Sequence, residues 1–415
     1  MYDRLIVGLP VVALALAATV GAAVAVDQPP GRRLEVRPAD LPPPYVSESV
    51  ANGPEIVARP NDTALVVPEG YSAAPFAVGL AHPREFEVLP NGDVLLSEPR
   101  AGRITLLRDD DGDGRAETVT LFADGLSAPY GMALRGDWLY VADLRAVWRL
   151  PYRPGASAAA GDAEPVTAVG ALGGSRGHWS RSLVFHPDGD RFYVGVGSRG
   201  NLDEEAPPRA SVQEFALDKD GRATARRTFA AGLRNPVGID FRPGSDDLYA
   251  VVNERDGLGD RLVPDYLTWV GDGRFYGWPY AYIGPNPQPG FADRRPDLVD
   301  LTTEPDVLFE SHSAPIGLVF YDGEMFPESV RGDAFVALRG SWNRSDPTGY
   351  MVVRVPFEQG RPLGWYEIFA SGFWTGGERR AQVWGRPTGL AVAADGALLI
   401  ADDTGGTVWR VAFGE

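Results

Sequence analysis

The sequence predicts an all-β protein, a six-bladed β-propeller behind an N-terminal apolar segment, and three observations predict it. Glycine (50) and proline (36) are abundant in a 415-residue chain that is still 44% hydrophobic, so many turns accompany an ample core, which argues against a helical bundle. From about Leu65 onward, short β-branched and aromatic runs alternate with Gly, Asp and Pro turns. One unit then recurs six times: an apolar strand, a Pro/Asn/Asp-Gly turn and a second strand ending in small or acidic residues.

The elements follow in chain order. Arg4 precedes an apolar run from Leu5 to Val26 that ends in small residues at Ala23 and Ala25, so residues 1–26 read as an export signal. The run approaches the roughly 20 residues that cross a bilayer, and an uncleaved membrane anchor is the alternative. Residues 27–60, with Pro29, Pro30, Pro42, Pro43 and Pro44 and few periodic apolar positions, read as an extended or disordered linker. Residues 61–415 form the propeller domain. Its units start near Phe86 (FEVLPNGDVLLSE), Gly131 (GMALRGDWLYVAD), Leu183 (LVFHPDGDRFYVGVG), Ile239 (IDFRPGSDDLYAVVNE), Leu318 (LVFYDG, then DAFVALRG) and Leu390 (LAVAADGALLIADD). Each unit alone has open edges, and closing a ring buries every sheet between two neighbours. The closing strand is expected at Thr407–Phe413, paired with residues near the start of the domain. A sandwich is the structural alternative, but it has no reason to repeat one hairpin at a blade-like period.

Charge and composition exclude several functions. Thirty-nine Lys and Arg against 56 Asp and Glu leave a formal net charge of −17, which repels phosphate backbones and excludes nucleic acid as a partner. With no Cys there are no disulfides, iron–sulfur clusters, thiolate zinc sites or thiol nucleophiles. No GxxxxGK[ST] phosphate loop and no HExxH is present.

Propellers collect function on one face, where loops meet over the central channel, so polar residues beside the repeated hairpins are the candidates. His178, in GGSRGHWSRSLVF with Arg176 and Arg181 close by, precedes the third hairpin, and neighbouring cations would keep its imidazole unprotonated and ready to accept a proton. His312, in ESHSAPIG, precedes the fifth hairpin in the same way, whereas His82 and His186 are expected to be structural. Arg84, Arg234, Arg339 with Arg344, and Arg386 recur at blade-equivalent positions. Gathered at one channel mouth they would form a positive site suited to carboxylates or a developing oxyanion, although any one of them alone would pair with a surface acid. In the long insertion Val251–Pro285, Asp256, Gly257 and Asp260 could offer oxygens to a hard cation such as calcium. The run Asp109–Glu117 (DDDGDGRAE) has the alternating acids of a calcium loop, but Thr120 stands where the bidentate Glu of an EF-hand would fall, and an acidic hairpin turn is expected.

Taken in order, GHWSRSLVF, VGVGSRGNLDEE, GLRNPVGIDF, NERDGLGDRLVPDYLTWV, FYGWPYAYIGP, SHSAPIGLVFYDG, ALRGSWNRSDPTGYMVVRVPF and GRPTGLAVAADGALLIADDTGG resemble the sorbosone dehydrogenase family, related to the soluble quinoprotein glucose and pyranose dehydrogenases. The resemblance implies a six-bladed propeller holding pyrroloquinoline quinone (PQQ) and calcium on one face. It also implies oxidation of a sugar, alcohol or aldehyde, with electrons passed to a cytochrome or quinone. His178 then matches the base that takes the substrate hydroxyl proton as hydride moves to the quinone. Arg234 and Asn235 match residues at the quinone oxygens, His312, Arg339 and Arg386 match the cofactor holders, and Asp256 and Gly257 the calcium carbonyls, while Arg84 joins the cofactor-binding candidates by its blade-equivalent position. Three positions depart from the pattern. Ser198 replaces an acid that orients the base, Arg255 replaces a glutamine beside the calcium, and Thr388 replaces one of two cofactor-clamping arginines. Those departures motivate a second reading, an envelope propeller that binds carbohydrate or protein without chemistry. A third reading, a calcium-dependent lactonase, would need acids and asparagines to converge where this chain offers mainly Arg and His.

Overall fold

Each hairpin forms because an apolar run is broken by a turn that few side chains accept. In LPNGD, Gly92 takes φ of 90°, its N–H donates to the Leu89 carbonyl, and Val94–Glu98 returns antiparallel along Phe86–Val88. The computed structural model describes residues 26–61 and 63–414. The expected export or anchor segment, 1–26, therefore lies outside the described residues apart from Val26. Among the described residues no helix is long and apolar enough to cross a membrane.

Among the described residues the hairpins build six sheets of four or five antiparallel strands. Their first strands are Phe86–Val88, Met132–Arg135, Leu183–Phe185, Pro236–Phe241, Pro315–Phe320 and Pro387–Val392. Each touches the next, and the last touches the first, so the six surround a central channel as in a β-propeller. Thr407–Phe413 pairs with Tyr71–Val78, in register from Phe413 opposite Tyr71 to Thr407 opposite Val78, so the two ends of the domain share one sheet, as expected.

The core lies between sheets. Six apolar clusters each join two neighbours: Phe86, Leu96, Leu399 and Val408 pack at the seam where the ring closes, and Tyr249, Val251, Val336 and Val353 pack between the fourth and fifth sheets. A small seventh cluster, Tyr130, Val237 and Ile316, plugs the channel.

The Pro-rich segment differs from the linker the composition suggests. Instead of hanging free it lies along the ring: Arg33–Leu34 adds a fifth strand beside Tyr366–Ala370, Val36 bridges Leu308, and Glu55–Ile56 runs parallel to Gln382–Val383. Proline forbids donors at its own positions only, and the residues between prolines use their backbone groups on exposed strand edges.

Candidate active site

In every antiparallel hairpin the start of the first strand and the end of the second lie at the same end of the sheet. Residues just before the first strands (Arg84, His178, Arg234, Asn235, His312, Arg386) and just after second strands (Asp256, Arg339) are thereby delivered to one mouth of the channel. All eight line a single cavity of about 330 Å³.

His178 is half-buried, and its Nδ1 lies 2.9 Å from the Ser198 carbonyl and 3.1 Å from Ser198 Oγ. A carbonyl only accepts, and the Ser198 hydroxyl donates to the Gly200 carbonyl at 2.7 Å, so the ring proton sits on Nδ1 and the Nε2 lone pair is left for the cavity. Burial, reinforced by Arg234, Arg209 and Arg181, pushes the imidazole down to about 3, and it is neutral at ordinary pH. Ser198 thus orients the ring through its backbone oxygen as well as its hydroxyl, a role that the replaced acid hid.

Opposite lies a cluster of cations around one carboxylate. Asp403 lies 2.5 Å from Arg84, 2.9 Å from Arg339 and 3.2 Å from His82, and although burial alone would raise it, these partners hold it far below the usual carboxylate range. Arg84 also lies 5.1 Å over the Trp179 ring. Arg386 donates to the carbonyls of Arg339 (3.0 Å) and Gly340 (2.9 Å), and burial followed by repulsion from Arg339 pulls it down to about 9. Three guanidiniums therefore share one acid. Arg234 donates to the Glu254 carbonyl at 2.7 Å and lies 3.6 Å from the Asp256 carboxylate, and the neighbouring Asn235 Oδ1 is buried without a partner.

Several expected residues do not join the cavity. Arg181 donates to four backbone carbonyls beneath His178, and Arg344 pairs with Asp346 at 2.9 Å, so both are structural. The expected metal set does not converge either. The Asp256 carbonyl is already covered by Arg255 (2.7 and 2.9 Å) and Asn201 (2.7 Å), Gly257 serves the turn with φ of 93°, and Asp260 faces outward to Ser345 and Ser47. A guanidinium on that oxygen leaves it nothing to give a cation. The carboxylates that do gather are Asp109, Asp111, Asp113 and Glu117, whose ligand atoms lie within 4.8 Å of one another. The acidic hairpin turn is thus also a group able to hold a metal ion, with Glu117 supplying the acid that position 120 lacks.

The cavity also contains residues that sequence reasoning missed. Trp179 and Tyr130 form its floor, Trp342 stands half-exposed at its rim, and Asn343, Glu254 and Asp265 join its walls. Acids and asparagines do converge here, contrary to the expectation of mainly Arg and His, but each acid has its own task. Asp265, for example, accepts from the N–H groups of Glu254 (2.8 Å) and Ala314 (2.9 Å), and among the described residues no three His, Asp or Glu ligand atoms gather in the cavity. The acid-rich NERD stretch was the available signal for Glu254.

The TrAA12-like family model matches residues 65–264 and 293–413. The chain belongs to the TrAA12-like family. Among its relatives is a pyrroloquinoline quinone-dependent pyranose dehydrogenase of Coprinopsis cinerea, 26% identical over 411 residues, covering 83% of this chain and 54% of that protein. A protein of Borreliella burgdorferi is 29% identical over 243 residues, covering 58% of this chain and 62% of the relative. The TrAA12-like chain thus spans less than two thirds of the length of each of these two relatives. It shares its fold with the PQQ domain of the Coprinopsis cinerea pyranose dehydrogenase (TM-score 0.70, 23% identity, 86% of this chain and 98% of that one). It shares the fold also with an aldose sugar dehydrogenase from Streptomyces coelicolor described in its PQQ-bound form (TM-score 0.59, 18% identity, 84% and 99%).

Proposed function

We propose that this chain is a quinoprotein dehydrogenase, a six-bladed propeller that holds PQQ in the cavity and oxidises a sugar or a sugar-derived alcohol or aldehyde. One observation carries the reading: a neutral histidine with a free Nε2 faces Arg84, Arg339 and Arg386, which together have one carboxylate between them. Uncompensated buried guanidiniums suit a planar polyanion, and the partnerless Asn235 Oδ1 adds a polar atom that a ligand would satisfy. The residues present therefore fit the quinone, with Arg84, Arg339 and Arg386 as its holders and Arg234 and Asn235 beside the reacting end.

PQQ, when bound, supplies the two-electron acceptor for a hydride. The protein supplies the rest. His178 Nε2 takes the hydroxyl proton from the substrate, Ser198 keeps the ring in the tautomer that allows it, and Arg234 offsets negative charge as it develops. Calcium belongs to the same reading, and its candidate ligands are Asp109, Asp111, Asp113 and Glu117. No step is assigned to a metal at Asp256, where Arg255 covers the carbonyl. The pyranose and aldose sugar dehydrogenases among its relatives, described with PQQ, support this reading. Electrons would leave to a cytochrome or quinone, and residues 1–26 would export the chain or tether it to a membrane, which the mass of the mature N-terminus decides.

The test is reconstitution of the purified protein with PQQ, with calcium and separately with a chelator, followed by a sugar panel and an artificial electron-accepting dye. Dye reduction is expected only with quinone and substrate together, and His178→Ala should lose turnover by about a thousandfold while keeping quinone absorbance. If no quinone absorbance stays with the protein after gel filtration, the reading is wrong. Sugar binding without turnover would favour the non-catalytic propeller, and chelator-sensitive lactone hydrolysis without quinone would favour the lactonase.

A further inference from the structure

The polar wall of the cavity is fixed by two loops. His312 Nε2 donates to the Gly259 carbonyl at 3.1 Å, and Nδ1 accepts from Asn343 Nδ2 at 3.1 Å. The same Asn343 amide donates to the Asp256 carboxylate, whose other oxygen lies 3.6 Å from Arg234. Both imidazole nitrogens of His312 are thus committed, and its tautomer is set by the two loops that flank it.

Each loop is gripped on both sides of its contact residue by one short stretch of the N-terminal segment. Around Gly259, the Tyr45 N–H donates to the Leu258 carbonyl at 2.8 Å, and the Asp260 N–H donates to Ser47 Oγ at 2.8 Å. Around Asn343, the Asn52 N–H donates to the Trp342 carbonyl at 2.6 Å, and Asn52 Nδ2 lies 2.9 Å from the Arg344 carbonyl and 2.6 Å from that of Arg379. Tyr45 holds φ of 67°, a conformation that a bulky side chain adopts only when its surroundings impose it. This stretch lies outside the residues that the family model matches.

We propose that Ser47 and Asn52 are positioning residues: the N-terminal segment is a clasp that holds the His312–Asn343–Asp256 wall in the arrangement that receives the cavity's anionic ligand, whereas Arg234 is anchored separately by the Glu254 carbonyl. The inference rests on the quinone reading for the identity of that ligand, whereas the clasp itself rests on the contacts alone. Loops that already stand in their binding arrangement need no further ordering when the ligand arrives, so loosening them should weaken binding. The clasp touches neither His178 nor the reacting end, so it should act on affinity more than on turnover.

The chain has four histidines, and ¹⁵N-histidine labelling gives a readout that does not depend on activity. In the ligand-free protein His312 should report an Nε2–H tautomer. In Asn52→Ala combined with Ser47→Ala its signals should move towards a tautomer mixture, while those of His82, His178 and His186 hold. The dissociation constant for PQQ should rise about tenfold, with kcat at saturation changed less than about twofold. Ser47→Thr, which keeps the hydroxyl, should retain the original spectrum and affinity. If the double variant does not fold, Ser47→Ala alone carries the same readouts. Unchanged His312 signals and unchanged quinone affinity in a folded variant overturn the clasp. A His312 shift in a protein that never binds PQQ leaves the clasp standing and removes the quinone reading instead.

Discussion

His178 owes its readiness as a base to burial and to Arg234, Arg209 and Arg181, which together disfavour the imidazolium, while the Ser198 carbonyl opposes them only in part. Because kcat/KM reports the free enzyme, its pH profile should show no acid limb near the ordinary imidazole value of 6.5 and should stay level down to about pH 5. A limb centred near 6.5 would show that His178 is not held as described. At this scale the sequence was a good guide where chemistry is written in residue type: His178, Arg234, His312 and Arg386 all reach the cavity. It was a poor guide to partners. Asp403, which ties Arg84 to Arg339, lies far from both in the chain, and only strand pairing brings it there.

One position in or just before each first strand marks the waist of the ring. Glu85, Gly131, Ser182, Gly238, Gly317 and Gly389 each precede the apolar residue that opens the hairpin, four of the six being glycine. A methyl group at Gly317 would collide with the Thr388 carbonyl, and one at Gly389 with that of Arg84, because neighbouring sheets approach there backbone to backbone. Gly317→Ala should therefore destabilise by about 1–3 kcal/mol, read as a lowered denaturation midpoint at unchanged m-value. An unchanged midpoint would mean that the sheets part without cost. Hairpin period and turn residues made these elements legible. The N-terminal segment was not, because its order comes from backbone bonds to distant strand edges, such as Gly31 N–H to the Ile368 carbonyl at 2.7 Å, which leave no trace in composition.

For the whole molecule, closing the ring buries carboxyl groups along the channel. Burial pushes Glu85 and Glu254 up to about 8, and Glu87, Asp240 and Asp265 up to about 7. Between about pH 6.5 and 8 these five acids keep protons only when folded, which outweighs the partial protonation of histidines in the unfolded chain, so stability must fall as pH rises through that window. Calorimetry of the ligand-free protein should show a lower Tm at pH 8 than at pH 6.5, and Glu85→Gln should reduce the difference. A flat or rising Tm would contradict the burial of these groups.

The sequence by itself determined the strands, their turns and their repetition, because these depend on side chains a few residues apart, and through chain order it also determined that hairpin ends would present His and Arg at one mouth. Only the tertiary structure decided which oxygens remained free for a cation, which acid neutralised which arginine, and that a proline-rich stretch would clasp the site. Those outcomes depend on how side chains from separate loops, from one to more than three hundred positions apart, come to lie once the Tyr71–Val78 strand meets Thr407–Phe413 and the ring closes.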